Sequence, residues 1–324
     1  AEELDAELAS LATTEDLERL RKSLERLLDR LTTSRPEGGA CVELDPSLPV
    51  LVVSDGHALR GAFRRLLLDR QVGQATNLEN IVRGNLQLLL LGDLLHSENR
   101  ERWQAVEQEF GAAFASSGRE TGPTPDMDRE MANGFGLAAM VITLQNAARG
   151  VHCLKGNHDN VLNSEKRGNG QIKKHVNWPG EGEITRAWTL VRMGSALAGK
   201  YAAWENRLPI FSICDNEGGL RFVASHSEPA GPYTREEIDR RADEVVFGLT
   251  WTRNEGRHAP DVLRNIFGRD WMSARYFVSR TGGEEGIDQV PDRNLIVVNK
   301  PRHLVAALVR PGFEEFEVHI VAED

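Results

Sequence analysis

Three apolar stretches of this chain end alike, and that repetition limits its fold more than any other feature. They read "LPVLVVSDGH" (48–57), "LQLLLLGD" (86–93) and "VHCLKGNHD" (151–159). Each is a strand-length hydrophobic run that stops abruptly at Asp55, Asp93 or Asn157. A carboxylate at the end of a buried strand needs hydrogen-bond donors, a cation or water, or else it must take up a proton. In sheets with parallel strands, ligands bind beyond the carboxyl ends of the strands, so side chains placed there converge on one crevice. A later run, "LRFVASH" (220–226), brings His226 to the same kind of position.

Around these runs, apolar segments alternate with helical patterns, the signature of an α/β fold. Further strands are expected at 208–215, 274–280, 294–300, 303–309 and 316–321, the last four close together and therefore antiparallel. Helices are expected near 58–70, 99–115, 127–148, 183–205 and 234–249. Leu17, Leu20, Leu24, Leu27, Leu28 and Leu31 recur at helical spacing within a charged segment, so residues 1–38 form an amphipathic helical extension before "SRPEGG" breaks the pattern. That leucine stripe packs on the domain's own core, or it forms a homodimer seam. Residues 39–324 then form one domain, with polar, Gly- and Pro-rich insertions near 116–126 and 160–182.

The net charge of −10 argues against a duplex nucleic-acid binder, which would need many cations against phosphate. The three cysteines are too few and too scattered for a disulfide framework, which points to a reducing compartment, the cytoplasm. No apolar run is long enough to span a bilayer, and "AEELDAELAS" has no signal-peptide pattern.

The strand-end residues combine carboxylates, an amide oxygen and imidazoles. Such a mixture suits Mn, Fe or Zn better than Ca or Mg alone, and the lack of cysteine ligands argues against a closed structural zinc site. Two cations held close together need a shared anionic ligand. Asp93 is the natural choice.

These motifs, in this order, resemble the calcineurin-like metallophosphoesterase superfamily and lean toward its serine/threonine protein phosphatase branch. Asp55-Gly56-His57, Gly92-Asp93, Gly156-Asn157-His158-Asp159 and His226 correspond to four of the five superfamily motifs, and "LTWTRN" (249–254) is similar to a phosphatase Leu-Trp segment. The resemblance implies a four-layer α/β/β/α fold, a central β-sandwich of mixed sheets flanked by helices. It implies two divalent metal ions (Mn, Fe or Zn), the first held by Asp55, His57 and Asp93, the second by Asp93, Asn157 and His226. Catalytic roles fall to His158 as general acid and to Asp159, which either holds that imidazole charged or closes the turn. Arg253 would grip the phosphate of a phosphorylated protein or small molecule, attacked by a metal-bound hydroxide.

Two departures qualify this correspondence. His96 stands where the phosphatases carry an Asp, in a stretch that lacks their phosphate-binding arginine, which makes His96 a further contact to substrate. Arg280 occupies the place of the fifth motif's histidine, and a guanidinium cannot ligate a cation. Either His303 replaces that ligand or the second site is short of one, leaving Arg280 free for phosphate. The alternatives to phosphomonoester hydrolysis are therefore cleavage of dinucleoside polyphosphates or phosphodiesters, favoured by the basic "EKRGNGQIKKH" (165–175), and a non-catalytic binding protein with a decayed second site.

Overall fold

The computed structural model describes residues 2–34, 39–117, 123–254, 256–280 and 285–322. Its strands are β1 (Cys41–Glu43), β2 (Val50–Val53), β3 (Gln87–Leu90), β4 (Val151–Cys153), β5 (Phe211–Cys214), β6 (Phe222–Ala224), β7 (Arg275–Val278), β8 (Ile287–Val290), β9 (Leu295–Val298), β10 (His303–Val309) and β11 (Phe316–Ala322). The helices are α1 (Glu2–Thr13), α2 (Leu17–Ser34), α3 (Arg60–Leu68), α4 (Asn77–Arg83), α5 (Arg100–Ser117), α6 (Pro125–Ala147), α7 (Glu181–Arg192), α8 (Gly194–Glu205), α9 (Arg235–Arg240), α10 (Asp243–Thr250) and α11 (Ala259–Phe267).

Among the described residues the strands form two mixed sheets, ordered β1-β5-β6-β7-β9-β8 and β11-β10-β2-β3-β4. Strand alternation sorts the apolar side chains into layers. In β2, Val50 and Val52 face the other sheet and pack with Phe222, Ala224, Phe277 and Val298, whereas Leu51 and Val53 face α3 and α6. On the outer side of the first sheet, Val223, Tyr276 and Val297 pack under Ile238, Leu249 and Leu263 of α9, α10 and α11. Helices, sheet, sheet and helices follow in that order, the expected four-layer arrangement.

Register places the functional strand ends. Val53, Leu90 and Cys153 lie in one row of parallel strands, so the segments after β2, β3 and β4 emerge side by side. In the other sheet Ala224, Phe277 and Ile296 form a second row, which brings the ends of β6, β7 and β9 to the same edge of the sandwich.

The N-terminal leucines serve the chain's own core. Leu20, Leu24, Leu27, Leu28 and Leu31 of α2 are buried in the cluster that holds Leu88 and Leu90 of β3 and much of α6. Leu17, the first of the stripe, is half-buried against the same cluster. The extension is two helices, restarted where Asp16 Oδ1 accepts the Arg19 N–H at 3.1 Å. Similarly, the helix expected over 183–205 divides into α7 and α8 at Gly194, whose φ is +80°.

Some elements differ from expectation. The closing strands are not uniformly antiparallel: β7 and β9 run parallel in one sheet, while β10 pairs antiparallel with β2 and β11 in the other. β1 and β8 carry no unbroken apolar run and are only partly buried, which hid them from hydrophobic patterning. The 116–126 insertion falls partly outside the described residues, between α5 and α6. Cys41, Cys153 and Cys214 are free thiols, and no described helix is long and apolar enough to cross a membrane.

Candidate metal centre

The turns after β2, β3 and β4 are locked together before any side chain enters the site. Backbone N–H groups of Gly56, His57 and Ala58 donate to the carbonyls of Gly92, Asp93 and Leu94. Gly92 has a φ of +106°, and a Cβ there would stand 2.4 Å from the Gly156 nitrogen. A Cβ on Gly156 would stand 2.1 Å from Asp93 Oδ1. Both motif glycines are thus required by close approach.

Asp93 Oδ2 lies at the centre, 3.8 Å from His57 Nε2 and 3.5 Å from His226 Nε2. On one side, His57 Nε2 is 3.6 Å from Asp55 Oδ2. On the other, His226 Nε2 is 2.9 Å from Asn157 Oδ1. Asp93 therefore stands between two donor groups, Asp55 with His57 and Asn157 with His226. Asp55, Asp93 and His226 bring ligand atoms within 4.8 Å of one another, all buried.

Protonation makes the arrangement more specific. His57 Nδ1 lies 2.9 Å from the His96 carbonyl oxygen and His226 Nδ1 lies 3.0 Å from the Leu91 carbonyl oxygen. A carbonyl only accepts, so both Nδ1 atoms carry hydrogen and it is the two Nε2 atoms that face carboxylate and amide oxygens. Acceptors facing acceptors in a buried site call for protons or cations. Asp55 Oδ1 lies 3.2 Å from His226 Nδ1, whose hydrogen is directed to the Leu91 carbonyl, and has no other donor. The donor set fits divalent metal ions.

The same crowding governs the titrations. Burial pushes the His57 imidazole down, but Glu98, Asp55 and Asp93 outweigh it and carry the pKa up to about 10. Burial, with Asp55 adding, lifts Asp93 to about 6 against the opposing pull of His226 and His57. Asp55 stays below the usual carboxylate range despite burial, because His226 and His57 flank it.

No protein-family model and no curated protein sequence matches the chain. A solved structure does: a serine/threonine phosphatase from Saccharomyces cerevisiae described as similar to human phosphatase PP5. The TM-score is 0.55 at 13% identity, covering 94% of this chain and 90% of that one. The fold is that of the calcineurin-like metallophosphoesterases. Within that fold, the donors described above occupy the sandwich edge where the two sheets present their strand ends.

Not every expected residue joins them. His158 lines the cavity beside the donors, with Arg253 and Arg280 on its rim. Arg280 lies over Trp251, its guanidinium carbon 5.3 Å from the ring centroid, and donates to the Thr250 carbonyl at 2.7 Å. His96 does not reach the cavity: it is buried behind His158, so the expectation of a phosphate contact is corrected to one of support. Its Nδ1 is 3.0 Å from His158 Nδ1 and its Nε2 is 2.7 Å from Thr185 Oγ1. Asp159 closes the turn. Its carboxylate accepts N–H groups from Gly156 at 2.7 Å, Asp93 at 3.0 Å and Leu94 at 3.1 Å. His303 stays outside the cavity lining, with Nδ1 2.9 Å from the Pro301 carbonyl oxygen.

Several residues escaped sequence reading. Asn299, at the end of β9, donates to Asp55 Oδ2 at 3.2 Å, and Ser279 Oγ accepts the Asp55 N–H at 2.7 Å. Glu98 stands 3.0 Å from His57 Nε2. Ser97 is pinned by the buried Glu130, which accepts its N–H at 2.6 Å and its hydroxyl at 2.8 Å. Their roles depend on tertiary docking and have no local sequence signal.

Proposed function

We propose that this chain is a metal-dependent phosphoesterase acting on phosphomonoesters, carried by a phosphoprotein or a small molecule. The observation behind this reading is the convergence of His57 Nε2 and His226 Nε2 on Asp93 Oδ2, with His57, Asp93 and Asn157 lining a cavity of about 350 Å³. Asp55, His57 and Asp93 would hold one divalent cation (Mn, Fe or Zn), and Asp93, Asn157 and His226 a second. Cations bound there supply a water nucleophile near neutral pH and offset charge on the phosphoryl group. Arg253 and Arg280 bind the phosphate oxygens, for which a guanidinium has matched geometry.

His158 delivers the proton to the leaving oxygen. In the free site, burial and the neighbouring His96 and His57 hold its pKa well below the usual imidazole value. A phosphate dianion entering beside it favours imidazolium and reverses that bias. Thr185 and His96 orient the ring from behind. The free thiols support a reducing compartment, the cytoplasm.

Lys173, Lys174, Arg253 and Arg280 all line the cavity, more positive charge than one phosphate requires. This supports a second reading, hydrolysis of dinucleoside polyphosphates or phosphodiesters. Rates on p-nitrophenyl phosphate, its bis-ester and diadenosine tetraphosphate under Mn²⁺ separate the readings. Preference for the simple monoester supports the first, preference for either of the others supports the second, and inactivity on all three with no bound metal would leave a binding module.

A further inference from the structure

We propose that Glu98 is a fourth protein donor to the cation that Asp55, His57 and Asp93 would hold. The inference rests on the metal-dependent reading and extends it to a residue outside the motifs that suggested it.

Glu98 reaches the site from the loop after β3. Its neighbour Ser97 fixes that loop, since Glu130 holds the Ser97 N–H and hydroxyl and Trp103 Nε1 donates to the Ser97 carbonyl at 3.0 Å. The Glu98 side chain is only 15% exposed, and its Oε1 stands 3.0 Å from His57 Nε2. His57 Nδ1 is committed to the His96 carbonyl, so Nε2 is the ring atom turned toward the carboxylates. A cation seated against that nitrogen is flanked by Glu98 Oε1 as well as by Asp55 Oδ2 and Asp93 Oδ2. Two neighbouring ligands on an octahedral cation, each at about 2.1 Å, are about 3.0 Å apart. The Oε1 to Nε2 spacing is thus a ligand-to-ligand spacing, whereas Asp55 Oδ2 and Asp93 Oδ2 stand 3.6 and 3.8 Å from the same nitrogen.

Lys174, from the 160–182 insertion, binds that same Oε1, and His175 Nε2 is 4.0 Å from Oε2. Lys174 balances the carboxylate when no cation is present and keeps it at the mouth of the site. With Glu98 included, the first cation has three carboxylates and an imidazole. The second has the shared Asp93, an amide and an imidazole. Unequal affinities follow, the tighter at the site that includes Glu98.

The test is calorimetric titration of the metal-stripped full chain with Mn²⁺, with thermal unfolding as the check that each variant is folded. The wild type binds two equivalents of unequal affinity. Glu98→Gln weakens the tighter one about tenfold or more and leaves the other in place. Glu98→Asp keeps the charge but withdraws the oxygens by one methylene, and it weakens the same equivalent. Lys174→Ala, which removes the competing ammonium, tightens it, and this gain is absent when Glu98→Gln is also present. Wild-type affinity in Glu98→Gln, or in Glu98→Asp alone, would overturn the proposal and leave the metal-dependent reading intact, since Asp93→Asn would still lose metal. A wild type that binds no Mn²⁺ would overturn both.

Discussion

His96 and His158 meet Nδ1 to Nδ1 at 3.0 Å, with Thr185 Oγ1 closing the far side of His96 at 2.7 Å. Burial and His57 drive His96 down to about 3, and burial with His96 and His57 holds His158 low, so the pair shares one hydrogen between two neutral rings. Such a contact fixes ring orientation and tautomer. His96→Ala is expected to lower kcat about tenfold or more with KM little changed, because the proton donor is left unaligned. Steady-state kinetics on p-nitrophenyl phosphate check this, and an unchanged kcat would remove His96 from the reaction.

Arg280 offers a sharper view of substrate binding. Its guanidinium already spends one N–H on the Thr250 carbonyl and rests on Trp251, which presents the remaining edge to the cavity. Arg280→Ala is expected to cost about 1.5–3 kcal/mol of phosphate binding, read as a rise in KM of about 10- to 140-fold. Arg280→Lys should rescue little, since an ammonium neither stacks nor binds in bidentate fashion. Full rescue by lysine would mean that charge alone matters there.

Glu130 carries a pH dependence that is independent of metal. Burial raises its carboxyl above the ordinary value of 4.5, against the pull of the Ser97 donors and Arg102. A carboxyl raised in the folded state contributes stability that is fully present below its unfolded pKa and is lost as pH rises through its folded pKa. The stability of the wild type minus that of Glu130→Gln should therefore fall as pH increases from about 4.5 and then level off. Thermal unfolding of both proteins from pH 4 to 8 measures the difference; a difference that grows with pH has the wrong sign.

Leu24 tests the place of the N-terminal helices. It is fully buried in the cluster shared with β3 and α6. Leu24→Ala is expected to destabilise the domain by about 2–5 kcal/mol in a single unfolding transition. Loss of a dimer without loss of monomer stability would instead support the seam reading.

Asp55, Asp93, Asn157 and His226 were legible because each combines a ligand-type side chain with the end of an apolar strand, and register then sets the strand ends level. His96 lies three residues from Asp93, a spacing that does not reveal that its ring turns behind His158. Asn299 and Glu98 reach the centre from a late strand and a loop, approaches that only docking of the two sheets and the Ser97 to Glu130 contact create. α4 was available in principle, since Thr76 and Glu79 form a full capping box. β8, half exposed and without an apolar run, was not.

Metal stoichiometry is the most direct test of whether two cations share Asp93. Elemental analysis of the full chain after Mn²⁺ loading and removal of free metal should give two equivalents in the wild type, and Asp93→Asn should lose the second and abolish p-nitrophenyl phosphate hydrolysis. Stoichiometry near zero in the wild type, or two equivalents retained by Asp93→Asn, would contradict that sharing.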